Sequence, residues 1–338
     1  DCTRTSLSRK QLEAFASGRA DVCFGPGFEI GATHTLTPRI SGARMLFLDE
    51  GTHLEARGGP WGRGYLRAFD TIEADDWFFD GHFKNDSCMP GTLMFEGCLQ
   101  AMSVYLTSMG YTLERDGWRF EPVPGVEYDL KCRGQVIPTS KELIYEVFVE
   151  EVEDGPYPTV WADILCTVDG LKAFHCKRMG LRLVPCFPLD VRQELLTAPT
   201  EQPAHAVVEG FDFDYASVMS CAWGEPSSAF GPMYKRFDDG WRVPRLPGPP
   251  YLFMTRVSAH KGGLNGMKPG VEVTIDYDIP EDAWYFRDGS AQTMPFCVLL
   301  EAALQPCGWL ASSVGSALTA EQELFFRNLD GTATWHKE

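Results

Sequence analysis

The chain lacks long hydrophobic runs. No apolar stretch among its 338 residues approaches the roughly 18 needed for a membrane-spanning helix. Its start, DCTRTSLSRKQLEAF, lacks the apolar stretch of a secretory signal. Positive charge is scarce as well: 30 Lys and Arg stand against 47 Asp and Glu, a formal net charge of −17. That balance argues against a nucleic-acid partner, because nucleic-acid binders present a basic face. The 11 cysteines include no CxxC pair and no Cys/His cluster at zinc spacing. Cys98, Cys166 and Cys297 sit in apolar runs and read as small core residues. Reduced thiols without a signal point to a cytoplasmic protein. Cys88 could be a nucleophile on paper, but no cysteine-hydrolase pattern surrounds it. Metal, nucleotide and flavin motifs are missing too, so no cofactor is expected.

What remains is a globular composition, 44% hydrophobic and 23% charged, in a chain with room for two domains. Its most informative stretch runs Trp77-Phe78-Phe79-Asp80-Gly81-His82-Phe83, then Met89-Pro90-Gly91, then Glu96 and Gln100. One histidine precedes a nearly all-apolar helix whose strongly polar residues, Glu96 and Gln100, lie four apart on one face. The frame recurs as Trp284-Tyr285-Phe286, Met294-Pro295, Glu301 and Gln305, without the histidine.

The recurrence extends upstream. Gly18, Phe24-Gly25-Pro26, Pro38-Arg39 and Met45-Leu46-Phe47 match Gly224, Phe230-Gly231-Pro232, Pro244-Arg245 and Tyr251-Leu252-Phe253 at one offset. A repeat this long is a duplicated domain. Each copy has a Pro/Gly-punctuated lead-in, two strands closed by the aromatic triplet, and a helix with proline at its first turn. Three long strands over 125–184 follow in the first copy. A helix apolar on nearly every face should be wrapped by a sheet, which is the hot-dog arrangement, an α+β design. The expected fold is therefore a tandem hot-dog. Its parts are a lead-in over 1–44, a first hot-dog over 45–185, a connection over 186–249 that repeats the lead-in, and a second hot-dog over 250–338. Only ELFFRNLDGTATWHKE follows the second helix, so that copy reads as truncated, with its helix partly bare.

The residue types suggest acid/base chemistry. His82 is the natural general base, since its ordinary pKa lies near neutrality. Gly91 at the helix start presents an unpaired N–H in the positive end of the helix dipole, suited to a thioester carbonyl. A glutamate on a buried helical face holds its proton near neutral pH and can protonate a leaving hydroxyl. Gln100 or Gln305, one turn on, can orient that carboxyl. Together these groups could remove water from a 3-hydroxyacyl thioester.

GHFKNDSCMPGTLMFEGCLQ resembles the active-site segment of bacterial 3-hydroxyacyl-carrier-protein dehydratases of the hot-dog fold. With DWFFDGHF and MPFCVLLEAALQPCGWLAS it is closest to the dehydratase region of microbial polyunsaturated fatty acid synthases, which are polyketide-synthase-like assemblies. The resemblance implies His82 as base, Gly91 as the carbonyl-binding amide, and Glu301 as the acid across a pseudo-dimer interface. It implies that Glu96 faces a second site, one that lacks histidine and is inactive. It also implies an acyl carrier protein as partner, the substrate riding on its phosphopantetheine, and other synthase domains or a second copy of the chain as further contacts. Dehydratases that also isomerise the double bond typically carry aspartate at the acid position, whereas both copies here have glutamate, a departure from the isomerising pattern. The alternatives are a hot-dog thioesterase, which would not require the histidine, and a non-catalytic hot-dog module.

Overall fold

The computed structural model describes residues 2–186 and 204–336. Residues 187–203, inside the expected 186–249 connection, lie outside the described residues. The first half builds one curved antiparallel sheet from β1 (Glu50–Glu55), β2 (Tyr65–Thr71), β3 (Trp118–Pro122), β4 (Glu127–Cys132), β5 (Glu142–Glu153), β6 (Thr159–Val168) and β7 (Leu171–Pro185). Their order is β1-β2-β5-β6-β7-β4, with β3 paired to the far end of β7. Alternation dictates the inner face: Leu143, Tyr145, Val147 and Val149 of β5 and Val160, Ala162, Ile164 and Cys166 of β6 are buried. The first hot-dog helix, Gly91–Ser108, lies against that face. Every side chain from Thr92 to Ser108 is buried, as an all-round apolar helix requires. Gly97 permits the close approach, because a Cβ there would fall 2.4 Å from the Tyr145 ring.

The second half repeats the beginning of this design. After the short hairpin β8 (Val207–Val208) and β9 (Phe211–Asp212) come β10 (Arg256–Lys261) and β11 (Glu272–Asp276), the counterparts of β1 and β2. The second hot-dog helix follows, Phe296–Ser313, equal in length to the first at 18 residues. It continues through Pro306 to Ser313. Among the described residues its sheet is two strands wide, and Leu299 of the helix is 41% exposed. The last strand, β12 (Asp330–Thr334), pairs with β4 at the edge of the first sheet rather than extending the second.

Three details depart from expectation. The aromatic triplets do not close strands but form short helices, Trp77–Gly81 and Trp284–Asp288. Three aromatics in a row suit a strand by propensity, but tertiary packing overrides it here. Pro90 and Pro295 cap the helices instead of opening them, a one-residue shift at a boundary. Residues 204–249 are more than a connection. Helices Tyr215–Ala222 and Pro226–Phe230 pack with Trp309 of the second helix in a small separate core.

The two halves meet about a pseudo-twofold. Trp77 and Trp284, partners in the repeat, sit edge to face with ring centroids 5.2 Å apart. The Gly248 N–H donates to the Gly81 carbonyl, and the Gly42 N–H to the Asp288 carbonyl, each at 2.8 Å. Each lead-in therefore ties the loop before the other half's helix.

Candidate active site

The glutamine of each helix anchors the chain preceding the first strand of its own half. Gln100 Oε1 accepts from the Phe47 N–H at 3.1 Å and its Nε2 donates to the Met45 carbonyl at 2.6 Å. Gln305 does the same with Phe253 and Tyr251, both at 2.8 Å. With both ends held, each amide has a fixed orientation, and its Nε2 faces a glutamate one turn back, at 3.0 Å for Glu96 and 3.3 Å for Glu301. Burial raises the pKa of both carboxyls above the ordinary glutamate value, against the lowering effect of these hydrogen bonds.

The glutamates also reach across the pseudo-dimer. Thr92, in the first turn of the first helix, donates its hydroxyl to Glu301 Oε2 at 2.9 Å. Cys297, its repeat partner, hydrogen-bonds Glu96 in the same way. The two helices cross so that each one's start meets the other's acid.

His82 follows the short helix Trp77–Gly81. Its loop is closed from both sides: the Cys88 N–H donates to the His82 carbonyl at 2.7 Å, and the imidazole Nδ1–H donates to the Cys88 carbonyl at 2.8 Å. A carbonyl can only accept, so Nδ1 carries the proton and Nε2 keeps its lone pair. Burial lowers the His82 pKa to about 4, with the Cys88 carbonyl pulling the other way. The ring is therefore neutral at pH 7. The Cys88 thiol is pushed up to about 12 by burial, which removes it as a nucleophile at neutral pH.

One cavity of about 390 Å³ collects these groups, with His82, Gly91, Thr92, Glu301 and Gln305 in its wall. Met94, Phe95, Phe174, Leu300 and Leu304 supply an apolar lining. Gly91 opens the first helix, where the amide has no carbonyl a turn behind it. A Cβ at Gly91 would lie 3.1 Å from Cys132 Sγ, so side-chain absence keeps this corner open. Glu96 and Gln100 lie apart from this group, in a separate cavity of about 70 Å³ with Arg39, Ser41 and Phe296. There Gly289 stands at the histidine's position and Phe296 at the glycine's.

Sequence reasoning missed two residues of the larger cavity. Thr92 is a small polar residue in an apolar helix, a signal that was available. Arg327 comes from the irregular segment before β12, and nothing in its neighbours announces it. It forms a two-pronged ion pair with Asp86 in the His82 loop, at 2.6 and 2.8 Å, and also donates to Gln135 at 3.1 Å.

Residues 40–177 match the FabA-like domain family. This segment is a FabA-like hot-dog domain. A polyunsaturated fatty acid synthase subunit from Thraustochytrium sp. is 24% identical over 447 aligned positions, covering 98% of this chain and 30% of that protein. The chain thus spans about a third of the length of that curated relative. Among solved structures, the dehydratase domain from the terminal module of the rifamycin polyketide synthase is 16% identical, covering 81% of this chain and 78% of that one, with a TM-score of 0.38. The dehydratase heterocomplex ApeI:P from Xenorhabdus doucetiae is 14% identical over 46% of this chain and 92% of that one, with a TM-score of 0.27. No described helix is long and apolar enough to cross a membrane.

Proposed function

We propose that this FabA-like tandem removes water from 3-hydroxyacyl thioesters to give trans-2-enoyl thioesters. The observation that carries the reading is the sharing of one apolar cavity by His82 from the first half and Glu301 from the second, beside the Gly91 amide. His82 Nε2 takes a proton from C2 of the substrate. The thioester oxygen gains charge as this happens, and the Gly91 N–H at the positive end of the helix stabilises it. Glu301, protonated because it is buried, gives its proton to the hydroxyl at C3. The C3–O bond breaks, the C2=C3 double bond forms, and water leaves. His82 is left protonated and Glu301 ionised, and return of one proton from the first to the second resets the site. Every step is a proton transfer or a bond cleavage within the substrate, so the reaction needs no cofactor.

The partner is an acyl carrier protein domain, which presents the substrate on phosphopantetheine within a cytoplasmic fatty acid or polyketide synthase. Other domains of that assembly, or a second copy of the chain, are its remaining contacts. Glu96, with no histidine in its smaller cavity, takes no part in the chemistry. A carboxylate-driven thioesterase needs an ionised glutamate, and the burial of Glu301 works against that.

The test is a turnover assay of wild type and His82→Ala with 3-hydroxyacyl thioesters on a carrier protein or a short thiol, read by mass spectrometry. Loss of water from wild type is expected, with the variant slower by roughly a hundred- to ten-thousand-fold. Released free acid in place of enoyl product would establish a thioesterase, and a variant as fast as wild type would remove His82 as the base.

A further inference from the structure

A lining residue of the large cavity and one of the small cavity meet through their aromatic rings. Phe95 lines the large cavity, and Phe296 lines the small one. The two pack edge to face with centroids 5.7 Å apart. Phe95 is backed on the large-cavity side by Phe174 at 5.9 Å, and Phe296 on the other side by Trp335 at 5.4 Å. Phe296 is the first residue of the second helix, the position held by Gly91 in the first. A glycine there leaves a hollow for substrate, whereas a phenylalanine fills it. The residue change that closes one helix start to substrate also builds a partition behind the other.

We infer that the Phe95–Phe296 ring pair is the end wall of the acyl pocket and sets the longest acyl chain accepted. This inference rests on the dehydratase reading, which places the thioester at Gly91 and carbons 2 and 3 between His82 and Glu301. The cavity's outer rim includes Leu329, 63% exposed, whereas Phe95 and Phe174 are 0% and 1% exposed. A substrate entering by the Leu329 segment therefore directs its tail inward, along Met94 and Leu304, until it meets the rings. Beyond them lies the space of about 70 Å³ around Glu96, which the rings cut off. Interior packing leaves no slack for a tail to push past two interlocked rings.

The test measures kcat/KM for water loss across a series of even-numbered 3-hydroxyacyl pantetheine thioesters of increasing length. Wild type should show a length beyond which kcat/KM collapses. Phe296→Ala removes a phenyl ring, space for roughly four methylenes, and should move that limit outward by about two to four carbons. At the first length wild type rejects, the variant should gain at least about tenfold, the lower end for one methylene in an apolar pocket. Phe95→Leu should shift the limit in the same direction by less, and it guards against Phe296→Ala failing to fold. An unchanged limit in a folded variant overturns the inference while leaving the dehydratase reading intact. If wild type turns over no length at all, the dehydratase reading fails, and the limit is read instead from calorimetric binding of 3-hydroxyacyl pantetheine amides. An outward shift in that series supports the wall, and no shift overturns it.

Discussion

Replacing each glutamate by glutamine in turn separates the two half-sites. Glu301→Gln changes one atom in a network whose geometry limits the response. Gln305 is held at both ends by Phe253 and Tyr251, so its Nε2 must keep facing residue 301. The new amide therefore turns its oxygen toward Gln305 and its NH2 toward Thr92. Thr92 can accept that bond and send its own hydroxyl proton to Tyr251 OH, 2.9 Å away. The Tyr251 hydroxyl, fully buried, then loses Thr92 as its acceptor, and the folding cost should be about 1–3 kcal/mol. Glu96→Gln is accommodated more simply, because Ser41 and Gln100 both donate to Glu96 Oε1, at 3.1 and 3.0 Å, and an amide oxygen kept there accepts from both. Both variants should therefore fold, Glu301→Gln at the larger cost in stability, and they should differ in turnover. Losing a positioned acid costs roughly a hundred- to ten-thousand-fold, or about 3–5 kcal/mol of barrier. Glu301→Gln should lose that much in kcat, and Glu96→Gln should stay within about threefold of wild type, below the usual worth of such a group. The assay is single-substrate kinetics at pH 7 by mass spectrometry, beside urea unfolding of all three proteins. Equal losses, or a larger loss in Glu96→Gln, would refute the cross-half pairing of His82 with Glu301.

The buried, neutral His82 also couples folding to pH. Its folded pKa of about 4 lies below the ordinary value of 6.5, so the unfolded chain takes up this proton first on acidification. Its contribution to stability is complete above about pH 6.5 and is lost as pH falls toward 4, costing about 2 kcal/mol between pH 7 and pH 5. Urea unfolding at both pH values should show a shallower dependence in His82→Gln than in wild type, and identical slopes would contradict the burial argument. The raised pKa of Glu301 acts in the opposite sense on activity: dehydration should fall as pH rises through it, and Glu301→Gln should lose that alkaline limb. Gly91→Pro deletes the proposed carbonyl-binding N–H at a helix position that accepts proline, and Pro90 at ψ 134° already has the backbone a following proline demands. It should lower kcat by roughly a hundred- to a thousand-fold with the helix retained by circular dichroism. Gly91→Ala controls for crowding of Cys132, and an equal loss there would point to space rather than the amide.

Much of this was legible in the chain because it depends on local pattern and on duplication. Two apolar helices with a Glu-x-x-x-Gln face, each behind a Met-Pro step, place a buried carboxyl beside the amide one turn on. The same spacing must therefore produce the same contacts twice, as it does at Glu96–Gln100 and Glu301–Gln305. Alternation marked β5 and β6. The triplets Trp77-Phe78-Phe79 and Trp284-Tyr285-Phe286 misled, because their propensity is for strand while their packing partner is each other across the pseudo-twofold. Only the tertiary structure decided which acid shares a cavity with His82. Glu96 and Glu301 have equivalent local sequence, and the choice between them depends on how the helices cross. Only the fold, too, brought Arg327 against Asp86 and placed β12 on the first sheet, since such contacts join residues far apart in the chain and leave no periodic trace along it.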